Sequence, residues 1–169
     1  IMILRLYIIF LFILFPYKSY AETTLRMANW LPPTHPWVLD IMIPWIKNVY
    51  EASEGRVKIV LLEAPIGPPP AHFNFAVKGI ADITYGVHNY TAGRFTSTQI
   101  TELPFLSKSS EILSVAWQRI YQRELLSLEE HKGTHLLGVY THGPGQLWLN
   151  KKYTTLESIK GLKVRIGGG

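Results

Sequence analysis

Two short apolar segments decide the fold: Thr24-Leu25-Arg26-Met27-Ala28 and Val57-Lys58-Ile59-Val60-Leu61-Leu62. The first alternates as a strand does, and the second is rich in β-branched residues and predicts a largely buried strand. Between them, apolar residues from Trp37 to Val49 recur at the spacing of one helix face. A strand, a helix and a strand in this order form a β-α-β unit with parallel strands, so the sequence predicts an α/β fold.

The helix between these strands carries its own boundary signals. Thr34 is the predicted N-cap, and Gly55 is the predicted end of the element. Pro44 lies inside the helical pattern and removes one backbone hydrogen bond. We therefore expect a kink at Pro44.

Further elements follow along the chain. The pattern predicts strands over 80–85, 134–140, 146–150 and 162–166, helices over 72–78 and 111–130, and a helical turn over 156–159. Because open α/β sheets bind ligands at the carboxyl ends of their strands, the loops after these strands are the candidate site.

Residues 1–21 have the composition of a signal peptide. Leu6–Phe15 is an unbroken apolar run of ten residues, which is too short to cross a membrane. Small residues at Ser19 and Ala21 fit the signal-peptidase requirement, so cleavage is predicted between Ala21 and Glu22. An uncleaved anchor or a core strand is the alternative.

Composition excludes several classes of function. The 169 residues include no cysteine, which rules out thiolate catalysis and cysteine-ligated metal centres. Removing Arg5 and Lys18 with the signal peptide lowers the net charge from +5 to +3, and the remaining basic residues are scattered, so no nucleic-acid partner is expected. The six histidines lack the spacing of a metal site, so no metal or other cofactor is predicted.

Enzymatic motifs are weak. The loop Thr141-His142-Gly143-Pro144-Gly145 is similar to an esterase oxyanion loop, yet no G-x-S-x-G nucleophile motif occurs. Glycine-rich nucleotide cradles are also absent from the sequence. A secreted α/β hydrolase that uses the His142 loop is kept as an alternative, but no catalytic residue is predicted.

The loops that follow the strands instead favour a small-molecule binding site. They carry aromatic rings suited to stacking and a few groups that form hydrogen bonds. The candidate ligand-binding residues are Trp30, His88, Asn89, Tyr90 and Gln146. Aromatic residues at strand ends are also common in ordinary packing, and this alternative applies most to Tyr85.

Arg165 is the sixth candidate. Its neighbours Val164 and Ile166 are apolar, so in a strand its side chain would point to the opposite face. A strand arginine can be a solvated edge residue or a planar fork that binds a carboxylate through two hydrogen bonds. The residues alone leave both interpretations open.

Taken in order, five segments resemble the periplasmic solute-binding proteins of tripartite ATP-independent (TRAP) transporters, DctP type. They are residues 25–30 (LRMANW), 55–59 (GRVKI), 79–83 (GIADI), 102–105 (ELPF) and 156–165 (LESIKGLKVR). The resemblance spans the whole chain after the signal peptide, and GLKVR at the end of such a series is fairly specific.

The resemblance implies an α/β, periplasmic-binding-protein-like (type II) fold of two lobes, here truncated to a first lobe over 22–145 and the start of a second over 146–169. It implies a non-enzymatic protein of the periplasm that captures a small mono- or dicarboxylate for the membrane subunits of a TRAP transporter. Arg165 matches the family's carboxylate-binding arginine. Gly145 stands where the sialic-acid branch has an arginine, so sialic acid is not expected as the ligand.

The predicted truncation adds one alternative. Two-lobed binders gain affinity by closing around the ligand and excluding water, so half a cleft is expected to bind weakly or not at all. A non-functional remnant of such a protein is therefore a further hypothesis.

Overall fold

The computed structural model describes residues 21–143 and 145–165, so the predicted signal peptide lies outside the described residues except for Ala21. The described chain divides into two compact units. The first contains the segment ending at Arg26 together with Leu31–Leu61, and the second contains Met27–Trp30 together with the chain from Leu62 onward. The predicted lobe boundary after residue 145 stays a prediction.

Strands β1 (Thr23–Met27) and β2 (Val57–Leu61) pair in a two-stranded sheet. The Thr23 amide donates to the Arg56 carbonyl, and the Leu62 amide donates to the Met27 carbonyl, so the two strands run parallel. This confirms the β-α-β unit. Within β2, however, only Ile59 is buried, because one face of the pair is open to solvent. The prediction that β2 is largely buried is therefore wrong.

The helix between β1 and β2 has two parts. A π-helical segment, Trp37–Met42, continues directly into helix α1 (Ile43–Ala52). Pro44 has no amide hydrogen to donate, and the wider π turn lies immediately before it. The helical hydrogen bonding therefore changes just before Pro44, while the kink expected there stays a prediction.

The ends of this helix differ in how well they follow the prediction. Thr34 is not the cap, since the first residue before the π-helical segment is Pro36 and the Trp37 amide donates to His35 Nδ1 over 3.1 Å. A histidine nitrogen thus takes the role expected of the threonine hydroxyl. At the other end, the Gly55 amide donates to the Tyr50 carbonyl with φ of +77°, which confirms Gly55 as the helix stop.

Two helices organise the second unit. Helix α2 (His72–Val77) follows a 3-10 turn at Pro69–Ala71, and helix α3 (Ser110–Ile120) continues through a π-helical segment, Tyr121–Leu125, into a 3-10 turn, Leu126–Leu128. The Ser109 hydroxyl accepts the Ile112 amide and caps α3. Further 3-10 turns lie at His88–Tyr90, Ser97–Glu102 and Glu157–Ile159. The predicted helices and the turn near 156–159 are confirmed.

Three predicted strands are absent from the described residues, and a fourth is reduced to one bridge. Over 80–85, Ile83 forms a single parallel bridge with Met27. No strand is found over 134–140, over 146–150 or over 162–165, while Ile166 lies outside the described residues. A strand exists only with a hydrogen-bonded neighbour, which a local pattern cannot supply.

At the end of the predicted strand 134–140, side chains of α3 take the place of a neighbouring strand as hydrogen-bond partners. The Val139 amide donates to Gln118 Oε1 over 2.6 Å, and the Thr141 amide donates to Ser114 Oγ over 2.9 Å. Val139 also packs with Trp117 and Tyr121 in the core of this unit. The segment is therefore anchored to a helix instead of a sheet.

Candidate functional site

Five residues of the second unit form what we call the Trp30 cluster: Asn29, Trp30, His72, Phe75 and Tyr85. Trp30 follows the end of β1, and its indole stacks on Tyr85 with ring centroids 3.9 Å apart and an interplanar angle of 21°. His72, the first residue of α2, meets Trp30 edge to face at 4.6 Å. The predicted stacking residue Trp30 thus lies in an aromatic group, half-buried.

Tyr85 is fixed in this cluster by a polar contact. Its hydroxyl donates to Asn29 Oδ1 over 2.9 Å, and Asn29 is 5% exposed. Burial raises the pKa of Tyr85 far above its usual value, so the hydroxyl stays protonated and remains a donor. The packing role that the sequence favoured for Tyr85 is consistent with these contacts.

His72 is the unusual member of the Trp30 cluster. It is fully buried, and its ring lies among the rings of Trp30, Phe75 and Tyr85. Burial lowers the pKa of His72, although a hydrogen bond with the Gly67 backbone opposes the shift in part, so the ring is neutral at ordinary pH. A neutral imidazole can be buried in this way at a lower cost than a charged one.

A second group lies around the carboxylate of Glu130, and we call it the Glu130 cluster. Its members are Phe73, His88, Phe95, Thr96, Ser97, Thr98, Tyr121, Glu130 and His131. Phe73 is on α2, between the Trp30-cluster residues His72 and Phe75. One short helix therefore contributes side chains to both clusters.

Glu130 is 7% exposed, and its carboxylate is richly bonded. Oε1 accepts the Ser97 amide over 2.9 Å and the Thr96 hydroxyl over 3.2 Å, while Oε2 accepts the Ser97 hydroxyl over 2.5 Å. Burial alone would raise the pKa of Glu130, but these hydrogen bonds outweigh it and hold the pKa below its usual value. Glu130 is therefore a buried anion. It joins the 3-10 turn at 97–102 to the end of the helical stretch that begins with α3 and ends at Leu128.

The predicted ligand residues His88 and Asn89 are engaged within the protein. His88 stacks on Phe95 at 4.2 Å and an angle of 12°, and its Nδ1 is 2.5 Å from Thr98 Oγ1. Burial, with the nearby His131 adding to it, lowers the pKa of His88 to about 4. Asn89 Nδ2 donates to the Glu102 carboxylate. Both side chains therefore tie the turn at 88–90 to the turn at 97–102.

The other predicted site residues are more open. Tyr90 is half-buried on the same turn as His88 and Asn89, whereas Gln146 and Arg165 are exposed. The structure thus brings three of the six candidates onto one turn and places Trp30 in the Trp30 cluster. The ligand-binding role of all six remains a prediction.

Sequence reasoning missed two residues that the structure singles out. His72 lies within Ala71-His72-Phe73-Asn74-Phe75, where an aromatic helix face was a possible signal of burial. Glu130 follows Glu129 in a polar stretch, and nothing local distinguishes the buried carboxylate from the exposed one. Only contacts with residues distant in sequence explain why Glu130 is buried and Glu129 is exposed.

The described residues contain neither a metal-binding group nor a membrane-spanning helix. Over 21–143 and 145–165, no group of three or more histidine or acidic side chains could hold a metal ion. In the same ranges, no helix combines the length and the apolar content needed to cross a bilayer.

Comparison with known proteins decides between the classes that the sequence left open. Residues 27–168 match the family described as DctP, bacterial extracellular solute-binding protein, family 7. The chain belongs to this family.

Solved structures of the family agree in fold. A TRAP periplasmic solute-binding protein from Bordetella bronchiseptica, solved with bound (R)- and (S)-mandelate, is 39% identical with a TM-score of 0.70, and the match covers 73% of this chain and 39% of that one. A TRAP solute-binding protein from Rhodoferax ferrireducens, solved with copurified benzoate, is 30% identical with a TM-score of 0.67 over 73% and 38% of the two chains. The type II periplasmic-binding fold is confirmed.

A curated relative is more distant. The protein named outer membrane transporter protein TsaT from Comamonas testosteroni is 28% identical over 151 residues, which are 88% of this chain and 45% of that protein. This chain of the DctP family therefore spans less than half the length of each of these relatives.

Membership of the DctP family confirms several expectations from the sequence. The family consists of periplasmic solute-binding proteins, so a binding protein is confirmed over the α/β hydrolase alternative at the level of the family. His142, on which that alternative depended, is exposed, and its Nδ1 lies 2.6 Å from the neighbouring Gly143 carbonyl oxygen.

Proposed function

We propose that this protein is the exported solute-binding component of a TRAP transporter and captures a small organic acid that carries an aromatic ring. The single observation that supports the ring is the Trp30–Tyr85 stack at the end of β1. Two relatives, at 39% and 30% identity, hold mandelate and benzoate, which are aromatic monocarboxylates. The general expectation of a small mono- or dicarboxylate thus narrows to an aromatic monocarboxylate.

Arg165 is proposed as the carboxylate-binding residue. Its guanidinium is exposed in this structure and is therefore open to a ligand. A guanidinium can bind a carboxylate through two parallel hydrogen bonds, which an ammonium group cannot reproduce. The carboxylate would bind Arg165 while the ring of the ligand packs on aromatic side chains.

Partners and location follow from the same proposal. The signal peptide over 1–21 would direct the chain to the periplasm, where it would deliver its ligand to the membrane subunits of the transporter. His88, Asn89, Tyr90 and Gln146 are proposed as further walls of the pocket. Because the chain spans less than half of its relatives, the remnant that neither binds nor delivers a ligand is an outcome of the test.

The experiment is a thermal melt of the chain from Glu22 to Gly169 with benzoate, mandelate or cyclohexanecarboxylate. A ligand that binds only the folded state raises the melting midpoint. At a ligand concentration of a hundred times Kd, the free energy of unfolding increases by about 2.7 kcal/mol. We expect a shift with the two aromatic acids and a smaller one with cyclohexanecarboxylate. Equal shifts with all three acids would exclude ring recognition, and no shift would favour the remnant.

A variant pair tests the arginine. Arg165→Lys keeps the charge but loses the planar fork, so we expect the shift with benzoate to fall by more than half. Lys163→Ala is the matched control, since Lys163 is also exposed and lies two residues away. If both variants respond to benzoate as the unmodified chain does, Arg165 is a surface residue.

A further inference from the structure

The 3-10 turn at His88–Tyr90 carries three of the six proposed ligand residues, and side chains connect it to distant parts of the chain. The backbone hydrogen bonds of this turn join residues three apart, so they shape the turn without fixing its position. His88 Nδ1 lies 2.5 Å from Thr98 Oγ1, and Asn89 donates to the Glu102 carboxylate. Both partners lie on one further 3-10 turn. The position of the first turn therefore depends on that of the second.

Glu130 holds the beginning of that second turn, Ser97–Glu102. Its Oε1 accepts the Ser97 amide over 2.9 Å and the Thr96 hydroxyl over 3.2 Å, while its Oε2 accepts the Ser97 hydroxyl over 2.5 Å. The Arg94 guanidinium also donates to the Glu130 carbonyl oxygen over 3.3 Å. Four hydrogen bonds therefore join one buried residue to the segment 94–97.

Phe95, within the same segment, contacts the first turn directly. Its ring stacks on His88 with centroids 4.2 Å apart and an interplanar angle of 12°. The ring of His131, the neighbour of Glu130, lies 4.9 Å from that of Phe95 and 5.1 Å from that of His88. A ring contact therefore adds to the two hydrogen bonds that connect the first turn to the segment held by Glu130.

We propose that Glu130 is a positioning residue for ligand binding, which keeps the turn at His88–Tyr90 in the place where it meets the ligand. The Glu130 side chain is buried and bonded within the protein, so it acts through the two turns and not by touching the ligand. A site that is already in place avoids the free-energy cost of ordering a loose segment on binding. This proposal rests on the proposed function.

A carboxylate is well suited to this role. Its two oxygens accept several hydrogen bonds at once, and bonds to an ionised acceptor are stronger than bonds between neutral groups. A glutamine would keep the shape of Glu130 but would offer one accepting oxygen and an NH₂ group that only donates. In Glu130→Gln, the hydroxyls and the amide at Thr96 and Ser97 would therefore compete for that single oxygen.

The first test is titration calorimetry with benzoate on the chain from Glu22 to Gly169, below the melting midpoint of every variant. We expect Glu130→Gln to bind benzoate about tenfold more weakly than the unmodified chain. Gln118→Ala is the matched control, because it removes the acceptor of the Val139 amide, a hydrogen bond that involves neither turn. The control should lose stability but keep its affinity for benzoate.

A second test asks whether Glu130 acts through the two turns. The variant Thr98→Val/Glu102→Ala removes both hydrogen bonds between the turns without changing a proposed ligand residue. In that background Glu130→Gln should weaken benzoate binding much less than it does in the unmodified chain, because residues that act through one another have non-additive effects. Losses of affinity that simply multiply would overturn the inference.

A milder variant covers the case in which Glu130→Gln does not fold. Ser97→Ala removes one hydroxyl from the Glu130 carboxylate and keeps the Ser97 amide bond. We expect the ¹H–¹⁵N NMR signals of residues 88–90 to shift without any ligand, and the affinity for benzoate to fall about threefold. Signals of residues 139 and 141, which bond to α3, should not move. Unchanged signals at 88–90 would overturn the inference.

The outcomes separate the two proposals. If the unmodified chain binds no aromatic acid, the proposed function fails and this inference fails with it. If the unmodified chain binds benzoate and Glu130→Gln binds it as tightly, the inference alone is overturned. Equal losses of affinity in Glu130→Gln and Gln118→Ala would also overturn it, and Glu130 would then serve the stability of the fold alone.

Discussion

The Trp30 cluster and the Glu130 cluster share helix α2 but bury polar groups of different charge. In the Glu130 cluster a charged carboxylate is buried, and its two oxygens accept hydrogen bonds from Thr96 and Ser97. In the Trp30 cluster a neutral imidazole is buried among aromatic rings, and its hydrogen bond is with the Gly67 backbone. A buried charge depends on its hydrogen bonds more than a neutral ring does, so the two clusters should respond differently to substitution.

The largest expected effect comes from removing the bonded charge. Glu130→Ala leaves the Ser97 amide and the hydroxyls of Thr96 and Ser97 without their acceptor, so we expect a loss of about 3–5 kcal/mol in the free energy of unfolding. Urea denaturation measures it. The neighbouring Glu129→Ala is the control, because Glu129 is exposed and pairs with exposed Lys132, and it should cost about 1 kcal/mol or less. Similar losses in the two variants would mean that the Glu130 cluster does not carry the stability assigned to it.

The next effect is a dependence on pH. The folded-state pKa of His88 is about 4, below its ordinary 6.5, so between these values the unfolded chain binds more protons than the folded one. Stability should therefore fall as the pH drops from about 6.5 to 4, by about 2–3 kcal/mol from His88. His131 acts in the same direction, since burial lowers its pKa too.

Urea midpoints at pH 7.5 and 4.5 measure this dependence, and His88→Gln should reduce it. His135→Gln, which changes an exposed histidine, should leave the dependence unaltered. A pH dependence that is identical in His88→Gln and in the unmodified chain would show that His88 is not its source.

A smaller effect tests the packing of the Trp30 cluster. Gly67→Ala would place a Cβ 2.6 Å from Cζ of Phe75, which forces this ring to shift. Overpacking of this kind costs about 1–2 kcal/mol. Gly86→Ala is the control, because an added Cβ there meets nothing within 4 Å. Thermal melts of both variants compare the two sites, and an unchanged midpoint in Gly67→Ala would mean that the cluster adapts without cost.

The smallest effect concerns Asn89. Its amide donates to the Glu102 carboxylate near the surface, so Asn89→Ala should cost at most about 1 kcal/mol. If Asn89 also contacts the ligand, the variant should lose affinity for benzoate out of proportion to this small change in stability. Loss of stability without loss of affinity would make Asn89 a structural residue alone.

The sequence predicts local elements well where the signals are local. The helical spacing from Trp37 and the glycine at 55 correctly place the first helix, and the segments around residues 25 and 57 correctly give two parallel strands. The strands expected over 134–140 and 146–150 fail because the extended pattern carries no information on the partner. Val139 and Thr141 instead bond to side chains of α3.

The candidate site is harder to predict for the same reason. Trp30 is predicted as a site residue because it follows a strand and has a ring suited to stacking, and its role in binding stays a prediction. His72 and Glu130 were missed because their burial depends on residues distant in sequence, such as Trp30 and Ser97. His88 and Asn89 are predicted as ligand-binding residues, and in the structure their contacts join two turns of the protein itself.

The anchoring of residues 139–141 on α3 has a geometric consequence. Ser114 and Gln118 are four residues apart on a helix, a rise of about 6 Å, and Thr141 and Val139 are two residues apart, about 6.6 Å if the chain is extended. The two spacings nearly coincide, so two side chains on successive turns of α3 can each bond one of two amides that lie two residues apart. An insertion of one residue at position 140 would break that match and turn one of the two amides away from its acceptor. A segment without regular secondary structure can therefore be as intolerant of a change in length as a strand within a sheet.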